Sequence, residues 1–187
     1  MPSSRDIVYG IYGAWRLARL DRGAMALFDS TAEGFWKSFF AAVIVAPGYV
    51  VLLSLDPGSG EWNAGWPRIV VVQVSAYTLG WTVYPLAVNQ ICNSIGKQAR
   101  FIGYIVAFNW SQVIQVMLPV VLVAAAEVLP LGMGQLLNIV VFIVILGYQW
   151  FIARTALEVT PMGAVGFVVL DLVLGFVIRG FTFAMLR

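Results

Sequence analysis

Asp171 is the side chain with the most chemical leverage in this sequence: a carboxylate set between Val168-Val169-Leu170 and Leu172-Val173-Leu174, none of which can hydrate it. An acid ionised at the centre of a bilayer costs about 2.5–3.5 kcal/mol on insertion scales, so it must face a bundle interior or a wet cavity. Its own helical face carries Ala164, Gly175 and Thr182, small side chains that allow another helix to approach and place Asp171 against protein. At about 1.5 Å per residue from the same end of each apolar stretch, Asn109, Gln149 and Asp171 fall at one depth. Gln112 lies one turn beyond Asn109 on nearly the same face, whereas Gln115 drifts round the helix. Asp171, Asn109, Gln112 and Gln149 thus form the candidate intramembrane polar site. Two roles are open to it: a proton-coupled or substrate-contacting site, or interhelical hydrogen bonds that fix register, worth about 0.6 kcal/mol each.

A second set recurs at helical spacing. Gln73, Tyr77, Gly80 and Tyr84 lie within a narrow arc and face one neighbour or one cavity. Aromatic and amide groups there suit a small-molecule path, while Gly80 between tyrosines suits close helix packing, the reading the spacing favours. Near the start, Ile7, Val8, Ile11, Ala14, Trp15 and Ala18 share one face with Arg16 and Arg19 on the other side, the pattern of an interfacial helix. Trp15, Arg16 and Arg19 mark this membrane-surface arm. The pattern breaks at Arg22-Gly23, so the arm is not one straight helix.

Other chemistries lack their residues. There is no histidine and a single cysteine, Cys92, which excludes a Cys/His zinc site, histidine-ligated haem and an internal disulfide. No phosphate-binding loop, dinucleotide fingerprint, zinc-protease motif or Gly-x-Ser-x-Gly elbow is present. No enzymatic activity, catalytic residue, metal or cofactor is therefore expected. Eleven basic against nine acidic residues leave no strong field for nucleic acid.

The elements that position these residues follow from composition. Hydrophobic side chains make up 61% and charged ones only 11%, against about 25% charged in soluble domains, so lipid is the main solvent. Five stretches reach the roughly 20 apolar residues a span requires, at about 35–55, 69–92, 101–126, 136–157 and 162–184. Short connections make them antiparallel neighbours in one bundle. The expected fold is an all-α integral membrane protein, with an amphipathic arm at 1–29 and a five-helix transmembrane domain at 30–187. Ser30-Thr31-Ala32-Glu33 reads as a capping box starting the first span, and Asp56-Pro57-Gly58-Ser59-Gly60, followed by Trp62 and Trp66, as a turn at a membrane surface. Pro47, Pro85 and Pro119 allow kinks, and Arg154 is placed to pair with Glu158.

With the N-terminus inside, Arg5, Arg16, Arg19, Arg22, Lys37, Lys97, Arg100 and Arg154, eight of the eleven basic residues, fall on the cytoplasmic side. This predicts a cytoplasmic N-terminus, retained because arginines interrupt any signal-peptide core, and an exoplasmic, periplasmic C-terminus in a bacterial inner membrane.

A cytoplasmic segment followed by five closely spaced helices, with Gly-Tyr pairs at Gly48-Tyr49, Gly103-Tyr104 and Gly147-Tyr148, resembles the Yip family of small polytopic membrane proteins over about 30–187. The Asp-Leu-Tyr-Gly-Pro signature of its eukaryotic members is missing, so the resemblance carries over neither their interaction with trafficking GTPases nor any functional residue. Two functions are expected from the residues. The first is a non-enzymatic scaffold or accessory subunit that binds lipid and other membrane proteins, in a hetero-complex or homo-oligomer, through the arm and small-residue helix faces. The alternative is a small permease or substrate-binding transport subunit, with a small-molecule substrate held around Asp171.

Overall fold

A computed structural model describes residues 1–56, 58, 60, 62–126 and 133–187. It is built from α1 (Ser4–Ala18), a 3-10 turn (Arg22–Leu27), α2 (Ala32–Ser38), α3 (Phe40–Ser54), α4 (Trp66–Ser94), α5 (Gln98–Ala126), α6 (Met133–Leu157) and α7 (Pro161–Leu186), with no strand among the described residues. Among the described residues, five helical runs are long and apolar enough to cross a membrane: Ala32–Ser54, which joins α2 to α3, and then α4, α5, α6 and α7. The protein is an all-α, multi-pass membrane bundle. The runs have 23 to 29 residues, so at about 1.5 Å per residue α4 and α5 exceed a hydrocarbon core of about 30 Å by roughly two and a half turns.

Half of the apolar window of α5 is buried, 50% against 17% for α4 and α7, because α1, α2, α3, α4 and α6 all pack on it. α1 is part of that cover, with Ala14 and Leu17 fully buried and Gly10 so close to Trp110 that an added Cβ would clash with the indole. The Tyr148 hydroxyl on α6 donates to the Ala14 carbonyl at 2.7 Å. The buried face is therefore Gly10, Gly13, Ala14 and Leu17, whereas Val8, Tyr12 and Trp15 point outward. The arm is rotated from the sequence expectation, because its glycines admit a neighbouring helix more closely than its larger apolar residues do.

Local signals set the ends of these elements. Ser3 and Asp6 cap α1 reciprocally, the Ser3 amide donating to Asp6 Oδ2 at 2.8 Å and the Asp6 amide to Ser3 Oγ at 3.2 Å. Leu20 adopts φ 61°, a left-handed conformation uncommon outside glycine, and turns the chain back toward α1. Asp21 then accepts from the Gly23 amide at 2.8 Å and from Arg16 Nε at 2.7 Å, clamping the reversal. The expected capping box at 30–33 does not form. Thr31 is the cap, accepting from the Gly34 amide at 3.1 Å, while Glu33 pairs with Lys37 at 2.7 Å. Ser30 instead abuts Gly103, where an added Cβ would stand 2.9 Å from its hydroxyl oxygen.

The outer surface is apolar. Val43, Val71, Leu86, Ile139, Ile143 and Phe176 are all exposed, as lipid-facing side chains should be. Hydroxyls on that surface turn inward to their own helix: Ser75 donates to the Val71 carbonyl at 2.8 Å and Thr78 to that of Val74 at 2.9 Å. Pro47, Pro85 and Pro119 each lie inside a helix that continues past them. At the arm end, Arg100 pairs with Glu158 at 2.6 Å and Lys97 Nζ donates to the Glu158 carbonyl at 3.0 Å, joining two turns. Glu158 is thus taken by α5, and Arg154 lies instead over the Trp150 ring at 5.4 Å. At the opposite end the Asn63 amide donates to the Leu186 carbonyl at 3.0 Å, and Gly58 closes a turn on Asp56 Oδ1 at 2.9 Å. Pro57 and Ser59 of the expected turn lie outside the described residues.

Candidate functional site

Asp171 sits on α7 facing α6, partly buried, and accepts one hydrogen bond from Gln149 Nε2 at 2.9 Å. The same nitrogen donates to Gln115 Oε1 at 2.9 Å, Gln115 Nε2 donates to Ser111 Oγ at 2.9 Å, and Ser111 donates to the Phe108 carbonyl at 2.6 Å. Gln149 commits both amide protons, one toward each neighbouring helix, and its Oε1 is buried with no hydrogen-bond partner. The chain pins α5, α6 and α7 at one depth.

Gln115 is the link that the sequence reading set aside. It stands about 120° round α5 from Asn109, and because neighbours surround that helix, turning away from one face brings it onto another. Asn109 is buried but belongs to a separate bond, donating to Ser38 Oγ on α2 at 2.9 Å, while Ser38 donates to the Phe35 carbonyl at 2.7 Å. Gln149 and Asp171 are thus joined directly, and Asn109 and Gln112 are not bonded to either among the described residues.

A cavity of about 840 Å³ brings the remaining candidates together. It lies among α3, α4, α5 and α7, and Asp171, Asn109 and Gln112 share it with Gln73, Tyr77 and Gly80. At Gly80 and at Gly175 an added Cβ would meet no atom within 4 Å, so neither glycine brings a helix close; both open into the cavity. The packing expected around these two positions is replaced by space. Tyr84 departs from its stripe. It is buried toward the arm end, where its hydroxyl bonds that of Tyr104 and lies 3.4 Å from the Phe167 carbonyl.

Two tyrosines bridge the gap between α3 and α4. Tyr49 donates to Gln73 Oε1 at 3.2 Å, Tyr77 donates to the Ala42 carbonyl at 2.6 Å, and the two rings lie 4.8 Å apart. These contacts hold α3 over a cavity instead of directly against α4. At the end away from the arm, Arg179 and Asp56 form an ion pair at 2.6 Å that straps α7 to the end of α3 across the mouth. The sequence reading set Asp56 in a surface turn and Tyr49 in a Gly-Tyr pair and brought neither of them, nor Arg179, to this site. The only signal for them was polarity near a span end, which reads equally well as anchoring.

The arm residues lie apart from this cavity. Trp15 and Arg19 are exposed, and Arg16 holds Asp21 and lies 6.0 Å from the Tyr12 ring centre. Two acids outside the spans have depressed pKa values. The Asp6 carboxyl is held below its usual range by hydrogen bonds from the Ser3 amide and Lys37, and Asp21 by Arg16 and the Gly23 amide. Among the described residues no three acidic or cysteine side chains gather as a metal site would require. No protein-family model matches the chain, and no curated protein or solved structure matches it either.

Proposed function

We propose that the protein binds a small molecule within the membrane, as a small permease or as the substrate-binding subunit of a transport complex. The observation that supports this reading is the cavity of about 840 Å³ with Asp171, Asn109, Gln112 and Gln73 in its wall. Ligand pockets commonly measure about 300–1,000 Å³, mostly apolar with a few convergent polar groups, and this one has that character. Polar side chains that served only to fix helix register would be closed against partners, as Ser111 and Gln115 are; Asp171 is not. A scaffold acting through the arm has less in its favour, because the small-residue face that would receive a partner helix already packs on α5 and α6.

The test uses the single native cysteine. In a Cys92→Ala background, Gly80→Cys reacts with a small membrane-impermeant thiol reagent added from the α3–α4 side of proteoliposomes, while a cysteine at lipid-facing Ile143 does not. Absence of labelling at position 80 would remove the wet cavity and the proposal with it. In cells, Asp171→Asn lowers uptake of the transported solute at unchanged protein level.

A further inference from the structure

The solute-binding reading leaves the chemistry of the solute open, and the charge balance of the cavity narrows it. Among the described residues, Asp56, Arg179 and Asp171 are the charged side chains in its wall. Asp56 and Arg179 pair with each other at 2.6 Å at the mouth, so the remaining formal charge is one negative, at Asp171. No lysine or arginine forms an ion pair with Asp171 among the described residues. Gln149 reaches only Oδ2, and no hydrogen bond from the described residues reaches Oδ1.

The two tyrosine hydroxyls lean the same way. Tyr49 and Tyr77 have already given their hydroxyl protons to Gln73 Oε1 and the Ala42 carbonyl, so their oxygens are left as acceptors. The rings of Trp81 and Phe108 share the wall, and aromatic rings attract cations. An anion entering here would meet a carboxylate and ring faces of like polarity. A neutral solute would leave a carboxylate desolvated without a countercharge, which is costly in a low-dielectric site.

We propose that the cavity takes a lipophilic organic cation, its positive centre against Asp171 and its apolar groups against the aromatic side chains of α3, α4 and α7. This inference rests on the solute-binding reading and adds to it the sign of the charge and the apolar body. Tetraphenylphosphonium and tetraphenylborate, which share size and shape but differ in sign, test it directly. Binding is measured by equilibrium dialysis to the full-length protein in nanodiscs, with empty nanodiscs subtracted for partition into lipid.

The phosphonium binds saturably and the borate does not. Asp171→Asn, which keeps a hydrogen-bond acceptor for Gln149, weakens the phosphonium at least about tenfold, as loss of a charge-assisted contact does, and Asp171→Glu restores it in part. Gly80→Leu, which fills open space without touching Asp171, blocks it as well; it keeps the test decisive if the Asn variant does not fold. Equal binding of both ions, or undiminished binding to a folded Asp171→Asn protein, overturns the inference. Labelling of Gly80→Cys without phosphonium binding would leave solute binding standing and remove the cation; failure of both removes both.

Discussion

Gln149 shows how much one neutral side chain carries in a bundle without water. It donates to α5 and to α7 from a single nitrogen, and its loss frees acceptors on both. Interhelical hydrogen bonds in membranes average about 0.6 kcal/mol and reach about 1.7, so Gln149→Leu should destabilise the fold by roughly 1–3 kcal/mol, since the buried Gln115 loses its partner and Asp171 its donor. Asn109→Leu removes one bond and leaves Ser38 still donating to Phe35, so its cost should stay near 1 kcal/mol. Denaturation in mixed micelles ranks the two variants, and an inverted order would show that the Ser111–Gln115–Gln149–Asp171 relay does not bear on stability. The unpartnered Gln149 Oε1 works the other way and tempers the loss, since leucine removes a buried acceptor that nothing among the described residues satisfies.

At the scale of elements, the arm depends on ionised acids. Asp6 caps α1 and accepts from Lys37, and Asp21 clamps the reversal after Leu20; both have pKa values below those of an unfolded chain. Such a group contributes its stabilisation fully above the unfolded pKa and loses it as pH falls through the lower, folded one. Hydrogen exchange of α1 amides should therefore be steady from neutral pH down to the ordinary carboxylate range and, after correction for intrinsic rates, rise below that range. Asp6→Asn should show the raised exchange at neutral pH, and a flat profile in the native chain would show that the cap does not hold the arm. The spans themselves were legible, since length and apolarity alone mark a helix that crosses lipid. The face of α1 was not. Its periodicity distinguishes apolar from charged sides but not protein from lipid, and the informative residues were Gly10 and Gly13, whose lack of a side chain permits contact with Trp110 and Phe28. The same ambiguity hid Gln115 on α5 and the open space at Gly80: a polar or small residue in an apolar run announces a partner without giving its direction.

Across the whole molecule, the cavity is framed by polar bridges between helices that otherwise stand apart. The Asp56–Arg179 pair is exposed on the arginine side, and pairs of that kind contribute about 0–1 kcal/mol, so Arg179→Gln should leave the melting temperature nearly unchanged. It should nonetheless speed thiol labelling of Gly80→Cys, because the strap across the mouth is gone; an unchanged rate would show that solutes enter elsewhere. The bond between Tyr148 and the Ala14 carbonyl joins positions 134 residues apart, and it orders events at the ribosome. At about 5–20 residues per second, the first helix waits on the order of ten seconds for the segment that covers it. Through much of that interval Gly13 has Phe28 beside it while Gly10 waits for Trp110, and α1, made ahead of the spans, is among the last helices to be secured.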